Sequence, residues 1–81
     1  MFSINNKNTK KVTYFGVVLP LIEKKWKWIA VDADGFIMLY THKPRNDLDG
    51  KEWLPWKLKG EFRVYGQCKF KGDWQKSLRK I

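Results

Sequence analysis

The sequence predicts a mainly β fold: a small curved antiparallel sheet or barrel-like domain of four to five strands, with a short C-terminal helix. Three observations carry this. Residues 61–71 alternate without a break, with Phe62, Val64, Gly66, Cys68 and Phe70 on one side and Glu61, Arg63, Tyr65, Gln67, Lys69 and Lys71 on the other. A period of two is that of a half-buried strand. Residues 26–41 hold two apolar runs on either side of the turn sequence Asp32-Ala33-Asp34-Gly35. At the end of the chain the period changes, and Trp74, Leu78 and Ile81 are spaced i, i+4, i+7, as on one face of a helix.

Taken in order, Phe2 and Ile4 alternate with Ser3 as in a short strand, and residues 5–11 are polar, a loop or a loose N-terminal arm. Residues 12–19 are β-branched and aromatic and read as one strand, apolar on both faces and therefore central or doubly covered, and Pro20 ends it or marks an edge. The hairpin at 26–41 has two candidate registers. A two-residue loop pairs Ala33 with Phe36 and Val31 with Met38. A three-residue loop with Gly35 in the left-handed region pairs Val31 with Ile37 and Ile29 with Leu39. The second gathers Ile29, Val31, Ile37 and Leu39 into one aliphatic patch and is preferred. Its other face carries Trp26, Trp28, Ala30, Phe36, Met38 and Tyr40, to be covered by the rest of the chain or used in binding. Residues 43–52, with Pro44, Asn46, Asp47, Asp49 and Gly50, read as a loop. A strand begins after Pro55, Gly60 breaks the chain before the strand at 61–71, and Gly66 marks a bend, a bulge or a close backbone approach. Asp73 is a good N-cap for the final helix, with Arg79 and Lys80 at its negative end.

The 81 residues form one domain, 1–81. A chain this short buries only roughly 60% of its unfolded surface. With five Trp, five Phe and three Tyr, at least one Trp has to stay partly exposed. The net charge is +9 and uneven: six Lys against one Glu over 1–31, three basic against five acidic residues over 32–52, eight basic against two acidic residues over 53–81. Such a field favours nucleic acid, an anionic membrane surface or an acidic protein. The single cysteine, Cys68, rules out an internal disulfide and fits a reducing compartment. No stretch approaches the roughly 20 apolar residues of a membrane span, and the N-terminus lacks the order of a signal peptide. The expected setting is soluble and cytoplasmic.

Little in the chain points to catalysis. The two Asp-x-Asp-Gly motifs, at 32–35 and 47–50, fail the calcium-loop pattern, because Gly comes too early and Lys43 and Leu58 stand where the bidentate Glu belongs. They are turn residues. His42 and Cys68 would have to meet to form a thiol–imidazole pair, and Cys68 is expected to face the core. No enzyme activity, metal or cofactor is expected. A basic strand face is the candidate for nucleic acid: Arg63, Tyr65, Lys69 and Lys71, with Lys76 and Arg79 following on the helix and Lys24, Lys25 and Lys27 adding to the field. Lysines track phosphates and aromatics stack bases. The plainer reading is a solvated sheet face whose lysines guard an edge. The candidate for protein binding is aromatic: Trp53 and Trp56 flanking Pro55, and the Trp26, Trp28, Tyr40 face, residue types favoured at interface hot spots. The plainer reading is that they cap the ends of a small barrel. Self-association is a further use of the same face.

The run from Trp28 to Gly35, then Pro44, Trp53 and Gly72-Asp73-Trp74-Gln75-Lys76-Ser77-Leu78, resembles a pattern of small uncharacterised proteins of bacteriophages and prophages. The resemblance implies a host bacterial cytoplasm. It also implies an accessory protein that acts by occluding a host or phage macromolecule, a protein target first and nucleic acid as the alternative.

Overall fold

The computed structural model describes residues 8–56 and 59–81. In chain order its strands are β1 (Thr9–Tyr14), β2 (Val17–Glu23), β3 (Trp28–Val31), β4 (Phe36–Tyr40), β5 (Arg45–Asp47), β6 (Glu52–Leu54), β7 (Phe62–Gln67) and β8 (Arg79–Lys80), with a 3₁₀ turn at Trp74–Lys76 between the last two. All pairings are antiparallel. The order β7-β4-β3-β8 makes an open four-stranded sheet, and β1–β2 and β5–β6 are separate hairpins. The fold is mainly β as the sequence predicts, and the sheet does not close into a barrel. The Phe2–Ile4 strand, residues 5–7 of the arm, and Lys57 and Leu58 lie outside the described residues.

The turn at 32–35 sets the register of the central sheet. Gly35 has φ 90°, its N–H donates to the Asp32 carbonyl at 2.9 Å, and the Asp32 N–H donates to the Phe36 carbonyl at 3.0 Å. This is the three-residue loop, and Val31 faces Ile37 and Ile29 faces Leu39. A Cβ on Gly35 would collide with the Cys68 carbonyl oxygen. The aliphatic patch on this face is covered by Val12, Tyr14, Leu19 and Ile22 of the β1–β2 hairpin and by Trp26.

That hairpin corrects the single strand read over 12–19. Phe15 and Gly16 have φ of 50° and 79°, a two-residue turn of the primed kind whose twist suits a hairpin, and Tyr14 pairs with Val17. One apolar run is thus two arms folded on each other. Of the two readings of Pro20 the edge holds: it lies inside β2, an edge strand of the two-stranded sheet. The register slips between Lys10 and Val12, which face Ile22 and Leu19, so Pro20 and Leu21 form a bulge, where a missing N–H removes no ladder bond. Residues 9–11 belong to β1 rather than to a loose arm.

The opposite face of the sheet, Ala30, Met38 and Tyr40, packs on Trp53, with Trp28, Phe36, Trp74 and Leu78 around it. Trp26, assigned to this face by alternation, packs on the other one. The loop read over 43–52 is the β5–β6 hairpin. Its second strand precedes Pro55, and the strand read after Pro55 falls on Lys57 and Leu58, outside the described residues.

Two further corrections concern the C-terminal third. The strand read over 61–71 is regular only over Phe62–Gln67. Gly66 faces Ile37 while Val64 faces Met38, so Tyr65 is an extra residue. This bulge beside Gly66 moves the alternation to the other face. Phe62 and Val64 are about half exposed at 55% and 50%, whereas Tyr65, Cys68 and Phe70 pack against the core under β1–β2. The C-terminal helix is a single 3₁₀ turn, capped by Asp73, whose carboxylate accepts from the Gln75 N–H at 2.9 Å. It docks through Trp74 and Leu78. Ile81 lies against the other core, because the chain straightens into β8, pairing Arg79 with Ile29 and Lys80 with Trp28.

Ser77, fully buried, replaces β8 where β8 stops short. Its Oγ accepts the Val31 N–H at 2.8 Å and donates to the Trp74 carbonyl at 2.6 Å. Ser77→Ala leaves the Val31 N–H unpaired in the core and should cost about 1–3 kcal/mol, read as a lower urea midpoint. Gly35→Ala should lower the midpoint more than Gly16→Ala, since only the former meets backbone.

Candidate functional site

Two of the residues read as a basic face are held in contacts with β2. On β7, Arg63 pairs with Glu23 at 3.2 Å and the Tyr65 hydroxyl donates to the Pro20 carbonyl at 3.0 Å. Both therefore fasten the sheet to β2. Lys69 and Lys71 lie beyond the end of β7 and are exposed. Lys76 is exposed on the 3₁₀ turn. Arg79 donates to the carbonyls of Lys76 and Leu78 at 2.7 and 2.8 Å and sits 4.7 Å over the Phe15 ring. Lys25 pairs with Glu61 at 3.2 Å. Lys10 donates to the Trp26 carbonyl, and its pKa is pushed down by desolvation and then by Lys27 and Lys24.

The aromatic platform is mostly core. Trp26, Tyr40 and Trp53 are buried. The Trp53 indole N–H is shared between the Val31 and Trp74 carbonyls, each at 3.2 Å, and the Tyr40 hydroxyl donates to the Trp53 carbonyl at 3.1 Å. Trp28 is half-buried under Lys43. Trp56 is 49% exposed, with the His42 ring against its edge. The structure thus leaves one of these five residues largely open.

The sequence reading missed the β1–β2 hairpin. Val12, Tyr14, Leu19 and Ile22 point inward, so the remaining apolar residues stand in solvent: Phe15, Val17, Val18 and Leu21 are 50–66% exposed. The signal was present in Phe15-Gly16: a turn inside an apolar run leaves both arms with an outer face. Between the hairpin tip and the segment 68–72 lies an apolar groove of about 350 Å³, lined by Tyr14, Phe15, Val17, Leu19, Ile37, Cys68, Phe70 and Gly72, with Lys69 and Lys71. A more open cleft of about 660 Å³ lies on the other side of the same segment, lined by Asp32, Asp34, Gln67 and Trp74 among others.

The carboxylates of that second cleft hold the fold. Asp32 Oδ1 accepts the Trp53 N–H at 2.8 Å and Asp34 Oδ1 accepts the Phe36 N–H at 3.3 Å. Desolvation raises the Asp32 pKa, against the Trp53 hydrogen bond, with Asp34 and Glu52 adding to the rise. Cys68 packs beside the groove, while His42 contacts Thr41 Oγ1 at 2.9 Å and Trp56, so thiol and imidazole have different neighbours. Among the described residues no three His, Cys, Asp or Glu gather as metal ligands, and no helix is long and apolar enough to cross a membrane.

No protein-family model matches the chain, and no curated protein or solved structure matches it either.

Two pH effects follow from the buried groups. A raised Asp32 pKa means that the folded state holds this proton more tightly than the unfolded chain, so its contribution is present at low pH and lost as pH rises through the folded pKa. Asp32→Asn, which keeps the acceptor without the charge, should leave stability at pH 7 unchanged or higher. Asp32→Ala strands the Trp53 N–H and should cost about 1–3 kcal/mol. Burial pushes Tyr14 up to about 12, so its contribution is complete below pH 10 and is lost between roughly 10 and 12. Tyr14→Phe should flatten that alkaline loss in denaturation midpoints measured across this range.

Proposed function

We propose that this chain is a non-enzymatic accessory module that binds a protein target and occludes it. The observation that carries the reading is the outer side of the β1–β2 hairpin, where Phe15, Val17, Val18 and Leu21 stand in solvent. Exposed apolar clusters on a small domain mark sites of contact with other proteins. Trp56, on a separate loop, adds a residue type that anchors interfaces. The positive charge supports the same reading as a steering field toward an acidic target. The bacteriophage-like sequence pattern supports the cytoplasm of a bacterial host as the setting.

Nucleic acid is the second reading, and one observation favours it. Among the described residues only two ion pairs form, Lys25–Glu61 and Arg63–Glu23, so Lys69, Lys71 and Lys76 keep their charge unpaired. The two readings separate on salt. Phosphate binding releases counterions and falls steeply with ionic strength, whereas apolar contact does not.

The test is capture from bacterial lysate with and without nuclease, using the chain and the double variant Val18→Asp, Leu21→Asp. Both positions are exposed on the hairpin, so folding should be kept. The expected result is a discrete protein that survives nuclease and moderate salt and is held at least tenfold more weakly by the variant, the scale of a hot-spot loss of about 2 kcal/mol. Recovery of nucleic acid alone, equally by both proteins, would overturn it.

A further inference from the structure

Resting on the protein-binding reading, we propose that the groove between the β1–β2 tip and residues 68–72 seats a large apolar side chain from an acidic segment of the partner, with Lys69 and Lys71 pairing with the carboxylates beside it.

Size and lining come first. The groove holds about 350 Å³, near the small end of the range of about 300–1,000 Å³ for ligand sites. That suits an anchoring side chain better than an extended ligand. Its floor and walls are Tyr14, Leu19, Ile37 and Phe70, and among the described residues no carboxylate lines it. The charged groups that line it among those residues are the ammonium groups of Lys69 and Lys71, neither in an ion pair. An apolar seat with a purely cationic lip is complementary to an apolar residue flanked by Asp or Glu. It rejects one flanked by Lys or Arg, because like charges brought together cost binding energy. The acidic residues of this region, Asp32 and Asp34, line the neighbouring cleft, which Lys69 also borders, and not the groove itself.

The seat is also built in advance. The Tyr14 hydroxyl is fixed to the Ser77 carbonyl at 2.7 Å. Phe15 meets Tyr14 and Phe70 edge-on, with ring centres 4.7 and 5.0 Å apart. A wall already ordered loses little entropy on binding. The same geometry argues against nucleic acid here. Bases stack on open aromatic faces, whereas Arg79 covers Phe15 and the neighbouring rings touch by their edges.

The test uses the ¹⁵N-labelled chain and blocked hexapeptides. Asp-Glu-Leu-Phe-Asp-Glu is compared with Lys-Lys-Leu-Phe-Lys-Lys and with Asp-Glu-Ser-Gly-Asp-Glu, and sodium decanoate and a thymidine oligonucleotide are run alongside. Amide shifts are followed at Phe15, Val17, Leu19 and Cys68 to Gly72. The expected result is saturable shifts confined to these amides with the first peptide and affinity at least tenfold lower for the other two. Lys69→Glu with Lys71→Glu should weaken the first peptide at least tenfold, because two attractive pairs become repulsive. Equal affinity for the acidic and basic peptides, stronger binding of decanoate or the oligonucleotide, or shifts caused by dimerisation would overturn the proposal. So would capture of the lysate protein unchanged by the lysine reversals but lost with Val18→Asp, Leu21→Asp. That last outcome leaves the protein-binding reading intact and removes only this seat.

Discussion

The peptide group of Val31 is where the three layers meet. It lies in an interior strand, yet β8 reaches only as far as Ile29, so its N–H and C=O on that side would be unpaired in the core. The N–H goes to the Ser77 hydroxyl and the carbonyl takes the Trp53 indole N–H. The Ser77 carbonyl in turn holds the Tyr14 hydroxyl. One serine therefore ties the central sheet to the β1–β2 hairpin directly, and Trp53 ties the same peptide to the β5–β6 hairpin. Buried polar groups in so small a core leave no slack, since each unmet bond costs about as much as a well-packed side chain contributes.

The exposed surface follows from the same economy of chain. A four-stranded sheet has two faces, and both are apolar here. Each needs a cover, and each cover is a hairpin with an outer side of its own. Among the described residues no further layer covers these outer sides. The outer side of β5–β6 is made polar by Arg45, Asp47 and Glu52, whereas that of β1–β2 keeps Val18 and Leu21. Two covers with the same task thus differ in what they present to solvent.

Legibility in the sequence tracked how local the deciding interaction is. The 26–41 register was readable because the aliphatic residues and Gly35 both select it within one hairpin. The β1–β2 hairpin was not, because Phe15 takes a positive φ that non-glycine residues rarely adopt and nothing polar marks the turn. The alternation at 61–71 misled for the opposite reason: the pattern is regular, but the extra residue at Tyr65 is set by the partner strand and by the Pro20 carbonyl that its hydroxyl reaches. The helical spacing of Trp74, Leu78 and Ile81 was real as a pattern, yet Ser77 sits between them with a tertiary duty that extends the chain. Of the site, Lys69 and Lys71 could be named in advance. Their separation from Arg63 and Tyr65 could not, because it depends on the same bulge.

The link between Tyr14 and Ser77 spans 63 positions, and this bears on how the molecule is made. Each hairpin closes over a short loop and can form within microseconds, but an isolated hairpin is marginal in water. The contact that joins the β1–β2 cover to the sheet arrives only with residue 77, long after both arms of that hairpin. On the ribosome the earlier strands would wait, with Val18, Leu21 and the unsealed sheet faces all accessible, until residue 77 emerges. Assembly is then a late, single cooperative step rather than a gradual accretion from the N-terminus, and a nascent chain paused before that point is the form most in need of a chaperone.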